Sequence, residues 1–512
     1  MSTQRVGLST NAARLFGLAA ASGLALAASV DVARAQCQFG EQAMLLSDDG
    51  EHLDAFGRSV SISGDTAVIG AYGDDDDGSQ SGSAYIFVFN GSSWVQQAKL
   101  LPDDGEVGKN FGYSVAISGE IAVIGAVRDS TNGTYSGAAY VFVRDGSNWV
   151  QQAKLLPDDG EAIEEFGNSV AISGDTAVIG AWLDDDNGPS SGSAYVFAFD
   201  PDGSGSWVQQ AKLLPDVGVV DAEFGYSVDL SGDTAVIGAR NDVDDGVNSG
   251  SAYVYVFDGS NWTQQAKLVA DDGIYSDSFG SSVAVSEDTI LVGAEEDSGD
   301  NGFQSGSAYL FVGDGSSWVQ HSKLLPNDGG FKGYFGQSAT ILGDTAVIGA
   351  KAADDFPAAG GAAYVFVFNG SGWVQQAKLM PDDDTEDNGF AYSVALYGET
   401  ALVGARCDNS AFVFDLGDCN ENAVLDGCDI AEGTSSDDNE DGIPDECEDT
   451  ACEGDANGDG LVDPLDSGFV LARFGCDVGA GDPDCDIADM NGDGLVDPLD
   501  SGFVLARFGT CP

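Results

Sequence analysis

From about residue 56 onward, apolar and polar positions alternate in short runs, and the runs recur in a fixed order. A Phe-Gly opens an alternating strand, a Gly-Asp pair follows, then an Ile-Gly-Ala strand, then a Ser-Ala-Tyr-Val-Phe strand. The openings fall at Phe56, Phe111, Phe166, Phe224, Phe279 and Phe335, and Phe390-Ala391 closes a series of seven with a period of about 55 residues. In the first unit the pattern predicts strands over 56–63, 66–71, 83–89 and 94–101. Gly64-Asp65 and Asn90-Gly91 supply hairpin turns between them. Four antiparallel strands on short loops make one blade, and seven such units predict an all-β seven-bladed propeller, whose ring leaves only short, protected edges.

The ends of the series predict how the ring closes. The seventh unit carries strands near 392–396, 400–405 and 411–415, but no Trp-Val-Gln-Gln-Ala-Lys-Leu segment follows them. Gln42-Ala43-Met44-Leu45-Leu46 matches Gln97-Ala98-Lys99-Leu100-Leu101, and Phe39 falls where the other units have Trp94. Residues 39–46 are therefore expected to form the outer strand of the last blade. The same alignment sets Cys37 beside the end of that blade's third strand, near Cys419, where a disulfide would lock the closure.

Residues 1–35 read as an export signal, with Arg5 and Arg14 ahead of an apolar stretch and Ala33-Arg34-Ala35 as a small-x-small cleavage site. No later stretch approaches about 18 uninterrupted apolar residues, so no integral membrane segment is expected in the mature chain. The reading is an exported protein, extracellular or at the cell surface. A net charge of −66 argues against nucleic-acid binding, which needs clustered Lys and Arg, and favours cations or basic partners.

The units, with Phe-Gly-Tyr-Ser-Val-Ala-Ile from Phe111 and Val-Ile-Gly-Ala ending at Ala126, resemble the FG-GAP repeats of integrin-like propellers. That family often carries a calcium loop between strands one and two. Here the turn is only Ser173-Gly174-Asp175-Thr176, too short to surround a cation, so that site is not carried over. The acids lie instead between strands two and three (74–77, 184–186, 242–245 and 295–300) and in the Pro-Asp-Asp-Gly segments at Pro102 and Pro157. Both loop types emerge on one face, which is expected to be acidic. It is either a solvated surface or a binding face for a protein or glycan ligand. The repeat tryptophans, Trp94 to Trp373, are read as packing residues.

The remaining chemistry is near the carboxy terminus. Asp455, Asn457, Asp459, Asp463 and Asp466 fit positions 1, 3, 5, 9 and 12 of an EF-hand-type loop, with Gly460 at the turn and Leu461 offering a carbonyl. Asp489, Asn491, Asp493, Asp497 and Asp500 repeat the set, with Gly494 and Leu495. Oxygen donors at this spacing select calcium. Each loop leads into a Pro-Leu-Asp-Ser-Gly-Phe-Val-Leu-Ala-Arg-Phe-Gly helix, and the duplicated pair over residues 451–512 resembles a type I dockerin. The resemblance implies a cohesin-like or cell-surface protein partner. Between propeller and dockerin-like end, residues 417–450 place Asp418, Asn420, Asn422 and Asp426, then Asp437, Asn439, Asp441 and Asp445, in a spacer resembling the calcium repeats of thrombospondin type 3.

Cys37, Cys419, Cys428, Cys447, Cys452, Cys476, Cys485 and Cys511 are disulfide candidates, with pairings left open, and Cys407 is the candidate unpaired thiol among nine. Only His52 and His321 are present, which leaves little for a triad or a His-rich zinc site. The expectation is a non-catalytic binding or adhesion protein of propeller and small calcium-binding loop-helix domain. An enzyme or accessory protein of polysaccharide degradation, and a structural component of the cell surface, are the alternatives.

Overall fold

A computed structural model describes residues 37–38, 41–51, 53–201, 203, 205–244, 247–299, 301–351, 360–381 and 389–417, with 424–426, 428, 435, 461–462 and 509–510 beyond them. Residues 36–512 form one compact unit and residues 1–35 another, which falls outside the described residues.

Seven four-stranded antiparallel sheets succeed one another along the chain, as the repeat predicts. The first blade comprises Ser59–Ser63, Thr66–Ala71, Ser83–Phe89 and Trp94–Leu100. Strands one and two of all seven blades meet in two-residue turns, from Ser63 paired with Thr66 to Tyr397 paired with Thr400. Blade 4 adds a small hairpin, Val243–Asp244 with Val247–Asn248, in its second loop.

Packing explains which residues the repeat keeps. Second strands such as Thr66–Ala71 lie between neighbouring sheets and bury every residue, so they read as unbroken apolar runs. The opening phenylalanines are buried and meet an aromatic ring of the third strand, a tyrosine in six blades and Phe412 in the seventh, as Phe111 meets Tyr140 edge to face at 5.4 Å between ring centroids. Gly112 has φ of 84°, and a Cβ there would sit 2.0 Å from the Ser83 carbonyl oxygen of the preceding blade. Only glycine allows that approach. The serine two residues on then donates from Oγ to the glycine carbonyl of the next blade, as Ser114 does to Gly167 at 2.8 Å. Seven such bonds circle the axis, with Ala391 in the glycine's place for one and Ser393 donating to Gly57 at 3.0 Å to complete the ring.

The outer strands fasten the rim. Trp149, Trp207, Trp262 and Trp318 donate their indole N–H to Gln97, Gln152, Gln210 and Gln265 of the blade before. The glutamine one place earlier, such as Gln96 or Gln151, accepts the amide of Asp48 or Asp103 in the loop that enters its own blade. The repeat tryptophans are thus packing and fastening residues.

The seam forms as the alignment predicts. Ala43–Leu45 pairs antiparallel with Ser410–Asp415, aligning Ala43 with Val413, Met44 with Phe412 and Leu45 with Ala411. The Gln42 amide adds a 2.8 Å bond to the Val413 carbonyl. Cys37 departs from expectation. Cys37–Gln38 runs parallel to Trp373–Leu379 of blade 6, with Cys37 in register with Ala377. The closing strand is only three residues long, so the chain before it reaches the neighbouring blade's open edge. Leu416, Leu425 and Cys428 pack against that blade too, and Gln375 and Gln376 are buried there.

Candidate functional site

Two positions in each blade break the uniformity, and both flank invariant neighbours. Between the opening Phe-Gly and its serine stand Arg58, Tyr113, Asn168, Tyr226, Ser281, Gln337 and, after Phe390-Ala391, Tyr392. Directly after the Gly-Ala of strand two stand Tyr72, Val127, Trp182, Arg240, Glu295, Lys351 and Arg406. Strand one starts and strand two ends on the same face and nearest the axis, so the ring gathers these residues around one opening. A cavity of about 340 Å³ sits there, lined by members of both sets and by the serine ring. It opens among the acidic loops.

The mouth reverses the charge of its surroundings. The Arg58 guanidinium lies 4.3 Å from the centroid of Tyr113 and 4.6 Å from that of Tyr392. Arg406 lies 4.0 Å from Tyr392, and Arg240 lies 3.8 Å from Tyr226. Aromatic faces hold guanidinium groups by cation–π attraction and leave their N–H edges free in the ring plane. Arg240 also gives Nε to Glu223 at 2.6 Å, and Lys351 binds Glu295 at 2.7 Å. Glu295 is the one carboxylate lining the cavity, and it is taken. Among the described residues, Arg58 has no carboxylate within ion-pair distance. Trp182 is fixed by its indole N–H to Glu165 at 2.9 Å and meets Tyr226 edge to face at 5.7 Å.

The acidic loops around the mouth are only partly a solvent surface. Asp74, Asp129, Asp184, Asp242 and Asp297 turn inward and are buried, while Asp75, Asp76 and Asp77 stay exposed. Lys99 reaches Asp74 and Asp49 at 2.8 Å each and Asp76 at 2.5 Å. Tyr85 donates to Asp49 and Asp74 at 2.9 Å. Blades 2, 3 and 5 repeat this around Lys154, Lys212 and Lys323. Burial pushes the Asp74 carboxyl up, but hydrogen bonds from Lys99, the Asp76 amide, Ser83 and Tyr85 outweigh it and hold it below the usual range. Burial likewise works against the charge of Lys99, and the bonds to Asp49, Asp74 and Asp76 reverse that and raise its pKa. Each inner acid is thus neutralised within the fold by a lysine of the Gln-Gln-Ala-Lys-Leu strand. Among the described residues, no cluster of three or more carboxylate, imidazole or thiolate groups is placed to hold a metal ion.

The other sequence-derived sites lie mostly outside the described residues. This holds for Asp455, Asn457, Asp459, Asp463, Asp466, Asp489, Asn491, Asp493, Leu495, Asp497 and Asp500, and for the spacer ligands apart from Asp426. Asp426 is buried, and its amide donates to the Gly417 carbonyl at 2.7 Å. The backbone of Leu461–Val462 pairs antiparallel with Gly509–Thr510. Cys419, Cys447, Cys452, Cys476, Cys485 and Cys511 are also outside. Cys407 is exposed and unpaired. The mouth residues were missed in the sequence because the search followed what repeats. Their signal is the converse, two positions that vary from blade to blade beside serine and alanine that do not.

Seven FG-GAP repeat matches cover residues 39–87, 94–142, 149–197, 207–255, 262–311, 318–366 and 373–414. The chain belongs to the FG-GAP repeat family. Each match runs from the outer strand of one blade into the third strand of the next, and the first of them spans the seam. No curated protein matches the chain. Among solved structures, the chain is similar to one described as the mitotic checkpoint complex, with 10% identity over 81% of this chain and 100% of the other and a TM-score of 0.46. It is also similar to Sqt1 of Saccharomyces cerevisiae, with 11% identity over 75% and 99% and a TM-score of 0.41.

Proposed function

We propose that this FG-GAP propeller is an exported, non-catalytic binding module that takes its ligand at the mouth of the axis. The carboxy-terminal segment attaches it, through calcium, to a cohesin-like or cell-surface protein partner. The mouth carries the reading. Seven otherwise uniform blades differ where they face one cavity, and a rigid ring that displays singular side chains in one place is a scaffold for recognition. Family membership supports a binding or adhesion role, since FG-GAP propellers generally serve as binding modules. For the tether, the donor set of two near-identical oxygen-rich loops supports calcium.

The test is capture from the native secretome by the mature full chain, with calcium and with chelator, beside an Arg58→Gln/Arg406→Gln variant. The expected result is one set of partners lost only to chelator and another lost only to the substitutions. Identical capture by variant and wild type in both conditions would overturn the assignment.

A further inference from the structure

The chemistry of the mouth narrows its ligand. Among the described residues, Arg58 sits against the Tyr113 and Tyr392 rings without a carboxylate partner, in a chain with 85 acidic residues. That surplus has supplied partners to the lysines of the blade networks and to Arg240 and Lys351. A half-buried guanidinium clamped by tyrosines is pre-organised to accept a carboxylate through two parallel N–H bonds.

The rest of the wall describes what carries that carboxylate. Between Arg58 and Trp182 the cavity is lined by the serine ring, Asn168 and Gln337, so a wholly apolar ligand would leave polar groups facing it. A polyhydroxylated ligand would not. Trp182 is the one tryptophan outside the rim series, and it is fixed beside Tyr226 rather than free to turn. A fixed indole of this kind takes the C–H face of a ring by stacking. The volume, about 340 Å³, is at the low end for ligand pockets and suits a terminal unit rather than the middle of a polymer.

Resting on the reading of the mouth as the ligand site, we infer that the propeller binds an acidic sugar, a hexuronate unit at a chain end. Its carboxylate is placed on Arg58, and its ring against Trp182.

Calorimetric titration of the mature full chain with trigalacturonate, galactotriose, acetate and inorganic sulfate tests this. Trigalacturonate should bind. Galactotriose and acetate should each bind at least about tenfold more weakly, since each lacks one half of the recognised chemistry. Arg58→Gln and Trp182→Ala should each weaken trigalacturonate by about tenfold, while melting temperatures stay close to wild type. Two variants on different blades keep the result readable should one fail to fold. No heat with trigalacturonate, equal affinity for galactotriose, or equal affinity for sulfate would overturn the acidic-sugar assignment. If capture from the secretome still depends on Arg58 and Arg406 in that case, the mouth stands as the binding site and only the ligand class falls.

Discussion

Met44 faces Phe412 in the seam blade, at the two positions where blade 1 pairs Lys99 with Tyr85. The ammonium and the hydroxyl are lost together there, and Asp408, the acid of the corresponding loop, is exposed rather than buried. The covariation within one chain identifies the network as a unit. A buried carboxylate is costly unless paired, and an apolar pair of similar shape needs no compensation. Lys99→Met alone is therefore expected to destabilise the protein by about 3 kcal/mol, because Asp74 stays buried without its cation. Adding Tyr85→Phe, as in the seam, and Asp74→Asn, which removes the buried charge, should restore at least half of that loss in chemical denaturation. A triple variant no more stable than the single one would show that the lysine acts by packing.

Ring closure by Ala43–Leu45 predicts a large effect from a small deletion. Removing residues 36–46 leaves the strand Ser410–Asp415 without its outer partner and uncovers Leu45's place in the core between blades 7 and 1. The melting temperature should fall by more than about 5 °C, and the transition should lose cooperativity. An unchanged melting curve would refute the closure.

What the sequence made legible follows from the repeat. Strand order, two-residue turns and the displaced outer strand are local or repeated features, and seven copies expose them. The networks around Lys99 and Lys154 were not legible, because their members lie in loops and strands about 25 and 50 positions apart. What read as a surface of acid was in part an internal counterion set. The mouth was illegible for the opposite reason, since Arg58 and Trp182 each stand once at their repeat positions and only ring closure sets them around one axis. Cys37 was misplaced because the alignment assumed a full-length closing strand, and the actual one stops after three residues.

Acid titration should separate two populations of carboxyls. Asp74 and Asp129 are buried and Asp49, Asp104, Asp159 and Asp272 exposed; partial desolvation works against all six charges, and hydrogen bonds led by those from lysine hold them below the usual range. Their contribution to stability is present above the unfolded-state pKa near 4 and is lost as pH falls through their lower native values. Burial, helped by the nearby Asp184 carboxylate, pushes Glu164 up to about 7, and burial beside Asp297 pushes Asp277 to about 6. Burial also raises Asp229, inside the channel, to about 6. For these three the native state binds the proton more tightly, so stability falls as pH rises from about 4 toward 7. The two trends predict maximal thermal stability at about pH 4 to 5. Glu164→Gln should flatten the decline between about pH 5 and 7. A stability maximum at or above pH 7, or a decline unchanged by the substitution, would contradict this account.

Calcium titration with and without residues 417–512 checks the carboxy-terminal loops. Calcium should bind the mature full chain and raise the stability of that segment, while the propeller alone should show fewer sites. Equal stoichiometry for the two would move calcium onto the propeller's acidic loops.

Two glycines separate conformational strain from steric contact. Gly112 and Gly119 both hold positive φ, 84° and 56°, so a side chain at either meets a left-handed cost of about 1 kcal/mol. A Cβ at Gly119 has nothing within 4 Å, whereas one at Gly112 would lie 2.0 Å from the Ser83 oxygen and 3.1 Å from the Ala71 nitrogen. Both of those are backbone atoms and can yield only if the two blades part. Gly119→Ala should therefore cost about 1 kcal/mol, and Gly112→Ala at least about 2 kcal/mol more, by equilibrium denaturation. The larger loss should come with a weaker Ser114 to Gly167 bond, since the same strand carries Gly112 and Ser114. Similar losses for the two variants would mean that the blades are not held at this distance by glycine.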